Sequence, residues 1–226
     1  MTVTNLQNPI RFNYHINNIL LSTPDTIKDL GVTFTNKWNF CKHINSIVNS
    51  SFQTLGFLKR HTQDFRTKRA LLLLYTTMVR SKLEYASVVW SHRQEYLRSA
   101  IERVQRKALK YICYQTRVDN TSYTYFELCS LFGLQSLQRR RITADFKTIH
   151  KIYHDLIKVT SIKESVQNYI SAYNIRNPDI YVIPTSRLDL HKESFLIRTL
   201  TTANRSCISL NQPLSSIINK IHNLSE

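Results

Sequence analysis

Hydrophobic and polar residues alternate with a period close to two in the first 36 residues. Residues 10–14 alternate, residues 19–21 are apolar and follow the turn-like Asn17 and Asn18, and residues 27–34 form a third apolar run. This period is typical of β-strands. The sequence therefore predicts three short strands, at residues 10–14, 19–21 and 27–34.

After residue 36 the apolar positions recur every three to four residues, as in amphipathic helices. Asp64 is the predicted N-cap of the second helix, and Gly133 is the predicted residue just past the end of the fourth. Residues 65–90 are apolar on most sides, which predicts that they form the buried centre of a bundle. The predicted helices span residues 44–58, 65–90, 93–113, 123–132, 134–156, 161–173 and 213–223.

These patterns predict a mainly α fold with a short β-hairpin and strand region at the N-terminus. We divide the chain into strands at residues 1–36, a helical bundle at 37–158 and a C-terminal extension at 159–226. Beyond Asn174 the extension is polar and contains Pro178, Pro184 and Pro213. We therefore expect it to be irregular, apart from the last helix, and to wrap the bundle.

Glycine is scarce, with only Gly31, Gly56 and Gly133 in 226 residues. Loops that cradle phosphates need clustered glycines, so the sequence predicts neither a P-loop nor a dinucleotide-binding fold. The apolar run at residues 70–75 is much shorter than the roughly 20 residues of a membrane span. We expect no membrane partner and an intracellular protein.

Cysteine, histidine and carboxylate patterns give little evidence for catalysis. Cys41, Cys113, Cys129 and Cys207 contain no Cys-x-x-Cys pair, so we expect reduced and mostly buried thiols. His150 and His154 lie one helical turn apart, but no third ligand is close in sequence. We expect them to be solvated or capping histidines. No cofactor and no metal site are predicted.

A metal-dependent polymerase holds two ions with paired carboxylates. No two acidic residues are adjacent in this chain. Isolated acids among basic residues are more simply explained as ion-pair partners. We expect that role for Asp145, Asp155, Glu84, Glu95 and Glu102, and no enzymatic activity of the isolated chain.

Positive charge is concentrated in the middle of the chain. The formal net charge is +16, and residues 59–113 contain 13 Lys and Arg against four Asp and Glu. Such a segment is typical of a surface that binds a polyanion. A solubilising basic surface is the alternative. The candidate phosphate-binding residues are Lys59, Arg60, Arg66, Lys68, Arg69, Arg103, Arg106, Lys107, Lys110, Arg139, Arg140 and Arg141.

Several motifs, in this order, resemble the C-terminal region of reverse transcriptases from jockey-type non-LTR retrotransposons. The most specific are Leu-Gly-Val at residues 30–32, Leu-Glu-Tyr-Ala-Ser at 83–87 and Val-Gln-Arg-Lys at 104–107. Leu134, Leu137 and the three arginines at 139–141 continue the resemblance. It extends over about residues 10–210.

The resemblance implies a fold and a function. Leu30 and Gly31 correspond to the primer-grip turn in the last hairpin of the palm, and the helices after it correspond to the thumb and its extension. In the family these parts hold template and primer through the backbone. The catalytic Asp-Asp motif of the family precedes this region, so we expect a non-catalytic fragment that binds RNA, DNA or an RNA–DNA hybrid.

Two other functions remain open at this point. The chain could supply the thumb in trans to a separate palm and fingers polypeptide. It could also be a host-adopted scaffold for protein interactions, whose apolar faces once met the palm.

Overall fold

The computed structural model describes residues 12–91, 94–119, 121–166, 180–185 and 192–223. Two antiparallel hairpins come first. In one, strand β1 (His15–Ile16) pairs with β2 (Ile19–Leu20); in the other, β3 (Thr26–Asp29) pairs with β4 (Val32–Thr35). Residues 12–14 form no strand, and residues 10 and 11 lie outside the described residues. The first predicted strand is therefore displaced toward the turn.

Both hairpins have two-residue turns with positive φ at both turn residues. These are Asn17 and Asn18 in the first turn, and Leu30 (φ 43°) and Gly31 (φ 82°) in the second. Such turns match the right-handed twist of paired strands and favour Asn and Gly. The prediction of one strand over residues 27–34 is wrong, because the chain reverses at Leu30 and Gly31.

The described residues contain ten α-helices. They are α1 (Cys41–His61), α2 (Lys68–Leu74), α3 (Ser81–Glu84), α4 (Ser87–Trp90), α5 (Glu95–Thr116), α6 (Tyr125–Leu131), α7 (Leu137–Tyr153), α8 (Thr160–Glu164), α9 (Phe195–Arg205) and α10 (Leu214–His222). A π-helical segment, Tyr75–Arg80, joins α2 to α3 without a break. The fold is mainly α, as predicted.

The second predicted helix differs from the structure at both ends. Asp64 does not cap it, because helix α2 begins at Lys68 and Thr67 occupies the N-cap position. The helix is interrupted at Ala86, which has a φ of 52°. The Trp90 indole donates a hydrogen bond to the Tyr85 carbonyl (2.8 Å) and so stabilises this break.

The same segment is buried on one side only. Leu71, Tyr75, Val79 and Leu83 are in the core, whereas Leu73 is 61% exposed. The prediction that residues 65–90 form the buried centre of a bundle is therefore wrong. This segment contains more apolar residues than one buried stripe requires.

Helix α6 has strong signals at both ends. Thr124 and Glu127 form a reciprocal capping box at its start. At its end Gly133 has a φ of 64°, and the Leu134 N–H donates to the Cys129 carbonyl at 2.8 Å. This is a Schellman ending, so the prediction for Gly133 is confirmed.

The first hydrophobic core lies among helices α1 to α6 and includes β4. Its fully buried members include Ile44, Val79, Leu83, Trp90 and Leu109. Val32 of β4 is 4% exposed. The second hairpin is thereby attached to the helices.

The C-terminal region forms a second core with helix α7. Phe146 and Ile149 of α7 pack with Tyr181, Leu200 of α9 and Ile217 of α10. The prediction of an irregular extension beyond Asn174 is wrong at α9, while the last predicted helix is confirmed as α10. Residues 167–173 of the predicted helix at 161–173 lie outside the described residues, and its described part is the short α8.

Arg198 of α9 joins the second core to the first group of helices. Its guanidinium makes two hydrogen bonds with the Asp145 carboxylate of α7, at 2.8 and 2.9 Å. It also donates to the carbonyls of Val88 (2.5 Å) and Ser91 (3.1 Å), at the end of α4. Pairing and hydrogen bonding of this kind offset the cost of burying the charge.

Candidate nucleic-acid interface

Helices α1 and α5 lie side by side and run in the same direction. Near their starts the Cys41 thiol lies 3.2 Å from the Tyr96 hydroxyl. Near their ends the Thr62 hydroxyl, just beyond α1, lies 2.7 Å from the Tyr111 hydroxyl. The start of α1 therefore contacts the start of α5 and the end contacts the end, so the two helices are parallel. The outer surface of this pair carries most of the predicted basic residues.

Arg103, Arg106, Lys107 and Lys110 are all exposed on α5. We call these four residues the basic face. A residue advances by 100° around a helix, since there are 3.6 residues per turn. The four positions therefore share a sector of about 100°, opposite the buried stripe that contains Ile101, Val104, Ala108 and Ile112.

Aromatic rings lie beneath the cations of the basic face. Arg103 and Lys107 both lie over the Phe52 ring of α1, with cation-to-centroid distances of 5.6 and 5.3 Å. Arg106 lies over the Tyr125 ring of α6 at 5.1 Å. Such contacts are favourable by about 0.5–1 kcal/mol at exposed sites. They restrict where the long side chains point without consuming their charge.

Glu102 is the one acidic residue between Ser99 and Thr116, and its carboxylate is bonded to helix α7. Its carboxylate accepts hydrogen bonds from the backbone N–H groups of Leu137 (3.2 Å) and Gln138 (2.6 Å), at the first turn of α7. It also accepts one from the Tyr125 hydroxyl. The negative charge is therefore used to cap α7, and the basic face keeps its excess positive charge.

Three further predicted residues lie near the ends of α1 and α5. Lys59 lies over the Tyr111 ring at 5.5 Å from its centroid. Arg66 donates to the Gln115 side chain and to the Gln63 carbonyl. Arg60 is exposed beside Gly56, one turn earlier. These side chains extend the positive surface beyond Lys110.

Lys68 and Arg69 belong to α2 rather than to the α1–α5 pair. The Lys68 ammonium donates to the Leu131 carbonyl (2.9 Å) and lies 4.8 Å from the centroid of the Phe132 ring. It therefore stabilises the end of α6, where a helix favours a cation. Arg69 is exposed.

The three arginines at the start of α7 are placed differently from those on α5. Arg140 donates two hydrogen bonds to Glu84 of α3, and this bond raises the Arg140 pKa. Arg141 is 3% exposed and lies 3.8 Å from Glu102. Arg139 is half-buried. Arg141 does not reach the surface and Arg140 is paired with Glu84, so the prediction that these two arginines bind phosphate is wrong.

The turn at Leu30 and Gly31 lies against the interruption after α3. The Tyr85 hydroxyl donates to the Leu30 carbonyl (3.0 Å). A Cβ at position 31 would lie 3.4 Å from the Tyr85 ring, and the φ of Gly31 is one that other residues rarely adopt. Leu30 itself is 83% exposed. Tyr85 therefore holds the backbone of the turn in place, while the Leu30 side chain lies in solvent.

The other candidate groups have structural partners. His150 and His154 hydrogen-bond through Nε2 to the carbonyls of Gln212 (3.2 Å) and Leu210 (3.1 Å). Glu95 pairs with Arg98, and Asp155 pairs with Lys163. Cys113 and Cys129 are buried, Cys41 is half-buried and Cys207 is exposed. Among the described residues, no three His, Cys, Asp or Glu side chains are grouped to hold a metal ion.

Two tyrosines of α5 were missed as candidates. Tyr96 and Tyr114 are 60% and 78% exposed. Tyr96 lies seven residues before Arg103, and Tyr114 lies seven residues after Lys107, so helical spacing places both on the side of the basic face. The same spacing that selected the arginines could have identified them.

No protein family, curated protein or solved structure gave a significant match to this chain. In the part of the chain that the structure describes, no helix has the length and apolar character needed to cross a membrane.

Proposed function

We propose that this chain is a non-catalytic module that binds nucleic acid through the phosphate backbone. The supporting observation is the basic face, where four cations share one side of α5 and the nearby Glu102 is directed toward α7. Lysine and arginine side chains engage phosphates without reading base sequence. In this proposal the bound species is duplex nucleic acid, which can be RNA, DNA or an RNA–DNA hybrid.

The dimensions of the basic face fit a backbone contact. Arg103 and Lys110 are seven residues apart, so their positions are separated by about 10 Å along the helix axis. Successive phosphates on one strand of a duplex are about 3.4 Å apart along its axis. The face therefore spans about three steps between successive phosphates, and so about four phosphates. Arg66, Lys59 and Arg60 extend the contact, and Tyr96 and Tyr114 offer rings that can pack on sugars or exposed bases.

We further propose that the module derives from the thumb region of a jockey-type retrotransposon reverse transcriptase. The motifs at residues 30–32, 83–87 and 104–107 support this origin. Tyr85, in the second motif, contacts Leu30 in the first. The turn would hold the end of a primer, while the helices hold the duplex behind it.

The experiment is a titration of the full chain into a fluorescently labelled RNA–DNA hybrid, followed by anisotropy. With about four to six phosphate contacts, the affinity should fall by roughly two to three decades between ~50 and ~200 mM salt. Hybrids of permuted sequence should bind equally well. An absence of binding at low salt, or an affinity that does not change with salt, would contradict the proposal.

The first hairpin favours a second candidate function, in which the chain acts with a partner polypeptide. Phe12, Ile16, Ile19 and Leu20 are each more than half exposed, and an isolated hairpin is marginally stable alone. In this version the chain supplies a thumb in trans to a separate palm. Addition of a palm fragment should then restore DNA synthesis on a primed RNA template, and a failure to restore it would exclude this version only.

A further inference from the structure

A cleft of about 450 Å³ lies between the second hairpin and helices α1 and α3. We call it the hairpin cleft. None of its lining residues belongs to the basic face. Its polar lining consists of Lys28 of β3, Lys82 of α3, His43, Ser46 and Ser50 of α1, and Tyr85, with Ser81 and Thr33 beside them.

The described side chains around the hairpin cleft are rich in hydrogen-bond donors. Two lysines and three serines line it, and its lining contains no Asp or Glu. The Lys82 ammonium is held by the hydroxyls of Thr54 (2.7 Å) and Ser50 (3.4 Å). An ammonium group that meets hydroxyls, rather than a carboxylate, keeps its net charge available for an anion.

The buried His43 ring also lines the cleft. It is 3% exposed, and its Nδ1 accepts a hydrogen bond from the Thr33 N–H at 3.3 Å. Because Nδ1 is an acceptor, the neutral ring carries its hydrogen on Nε2. That Nε2 is itself shielded from solvent and has no hydrogen-bond partner among the described residues. Burial, and then the charge of Lys28, lower the His43 pKa, so the ring is neutral near pH 7.

We infer that the hairpin cleft is a binding site for a phosphate group. Two ammonium groups in a lining that contains no carboxylate, with Lys82 held by hydroxyls, favour an anion. The volume falls in the range of small-molecule sites and exceeds what one small ion needs. The cleft therefore accommodates a phosphomonoester with part of its nucleoside, and the phosphate comes either from the end of a nucleic-acid strand or from the free anion.

This inference does not rest on nucleic-acid binding by the basic face. Removal of the charges on α5 leaves every lining residue of the hairpin cleft intact. Phosphate binding should therefore persist in a variant that no longer binds the hybrid. The two experiments can therefore fail separately: loss of hybrid binding tests the basic face, and loss of phosphate binding tests the hairpin cleft.

The experiment is a titration of the full chain with inorganic phosphate at constant ionic strength, followed by NMR and calorimetry. We expect saturable shifts of the His43 ring signals and of the Gly31 amide. The double variant K28Q/K82Q should weaken binding at least tenfold, since one charge-assisted hydrogen bond contributes about 1.5–3 kcal/mol. The matched control K37Q/K42Q removes the same charge from two exposed lysines nearby and should leave the affinity within about twofold.

A competition experiment then distinguishes the two sources of the phosphate. If a 5′-phosphorylated tetranucleotide displaces inorganic phosphate better than the unphosphorylated one, the site takes a strand end. If neither tetranucleotide displaces it, the site takes the free anion. An absence of saturable shifts, or equal losses in K28Q/K82Q and K37Q/K42Q, would overturn the inference.

Discussion

Two groups of arginines in this chain have similar sequence patterns and opposite surroundings. Arg103 and Arg106 on α5 are exposed, with their cations over aromatic rings. Arg140 and Arg141, at the start of α7, are directed inward to Glu84 and Glu102. In sequence both groups are helical runs of basic residues beside apolar positions, so both were predicted to bind phosphate.

The difference between the two groups is set by the carboxylates that face them. Glu84 and Glu102 come from α3 and α5 and reach the first turn of α7, where they also accept hydrogen bonds. No described carboxylate contacts the four cations of the basic face within ion-pair distance. A basic cluster is therefore available for a polyanion only when the fold has not already supplied its counter-charge.

The largest expected effect comes from Arg198, the most completely bonded of the inward arginines. The change Arg198→Met should lower the free energy of unfolding by about 3–5 kcal/mol, because it leaves the Asp145 carboxylate buried without a partner. Denaturant unfolding measures this loss. The double variant R198M/D145L should recover most of it. A loss below about 1 kcal/mol for R198M would show that the pair is dispensable.

A smaller loss of stability is expected when Glu102 no longer supplies a negative charge to the first turn of α7. The change Glu102→Gln keeps the shape of the side chain but removes its charge, so the N–H groups of Leu137 and Gln138 lose a charge-assisted acceptor. We expect a loss of roughly 2 kcal/mol in the free energy of unfolding. The change Glu95→Gln is the control, since Glu95 pairs with Arg98 on the surface. Equal losses of stability in E102Q and E95Q would contradict the claim that Glu102 stabilises the first turn of α7.

Acidification should destabilise the fold through the buried His43 and the half-buried His150. Burial lowers the pKa of both His43 and His150 below the ordinary value of 6.5. The unfolded chain then binds more protons than the folded chain as the pH falls through about 6.5, so the free energy of unfolding decreases. Unfolding titrations at pH 7 and pH 5 measure the decrease. His43→Gln should reduce it, and an unchanged pH dependence would show that His43 does not contribute.

The smallest effect on stability is expected from the basic face itself. The quadruple variant R103Q/R106Q/K107Q/K110Q loses only surface contacts with Phe52 and Tyr125. The loss of three exposed cation–π contacts, about 1.5–3 kcal/mol in all, is partly offset because the repulsion among four like charges is also removed. The variant's free energy of unfolding should therefore change by less than about 2 kcal/mol. Thermal unfolding measures the change. A loss as large as that of R198M would mean that these residues hold the fold instead of a ligand.

The helices of the first core could be predicted because their apolar residues recur regularly, every three to four positions. Helix α9 could not, since it contains Thr199, Thr201 and Thr202, which have low intrinsic helix propensity. It is stabilised by tertiary contacts, through the burial of Leu200 and the bonds of Arg198. The break at Ala86 is likewise fixed by distant partners, because Tyr85 reaches Leu30.

The candidate interface was predictable only where one helix contains it. The spacing of Arg103, Arg106, Lys107 and Lys110 places them together whatever surrounds α5. The position of Arg140 depends on Glu84, 56 residues away in sequence, which no local pattern reveals. The hairpin cleft was missed for the same reason, since Lys28, His43 and Lys82 come from three separate elements.

The salt dependence of hybrid binding tests most directly whether the outward basic cluster, and not the total charge, binds nucleic acid. We expect a slope of log affinity against log salt of roughly −4 to −5 for the native chain. The variant R103Q/R106Q/K107Q/K110Q should lose roughly 3–4 of that slope. The matched control K147Q/K151Q/K158Q/R205Q removes four exposed charges elsewhere and should keep the slope nearly unchanged. Equal losses of slope and affinity in both variants would contradict a localised interface.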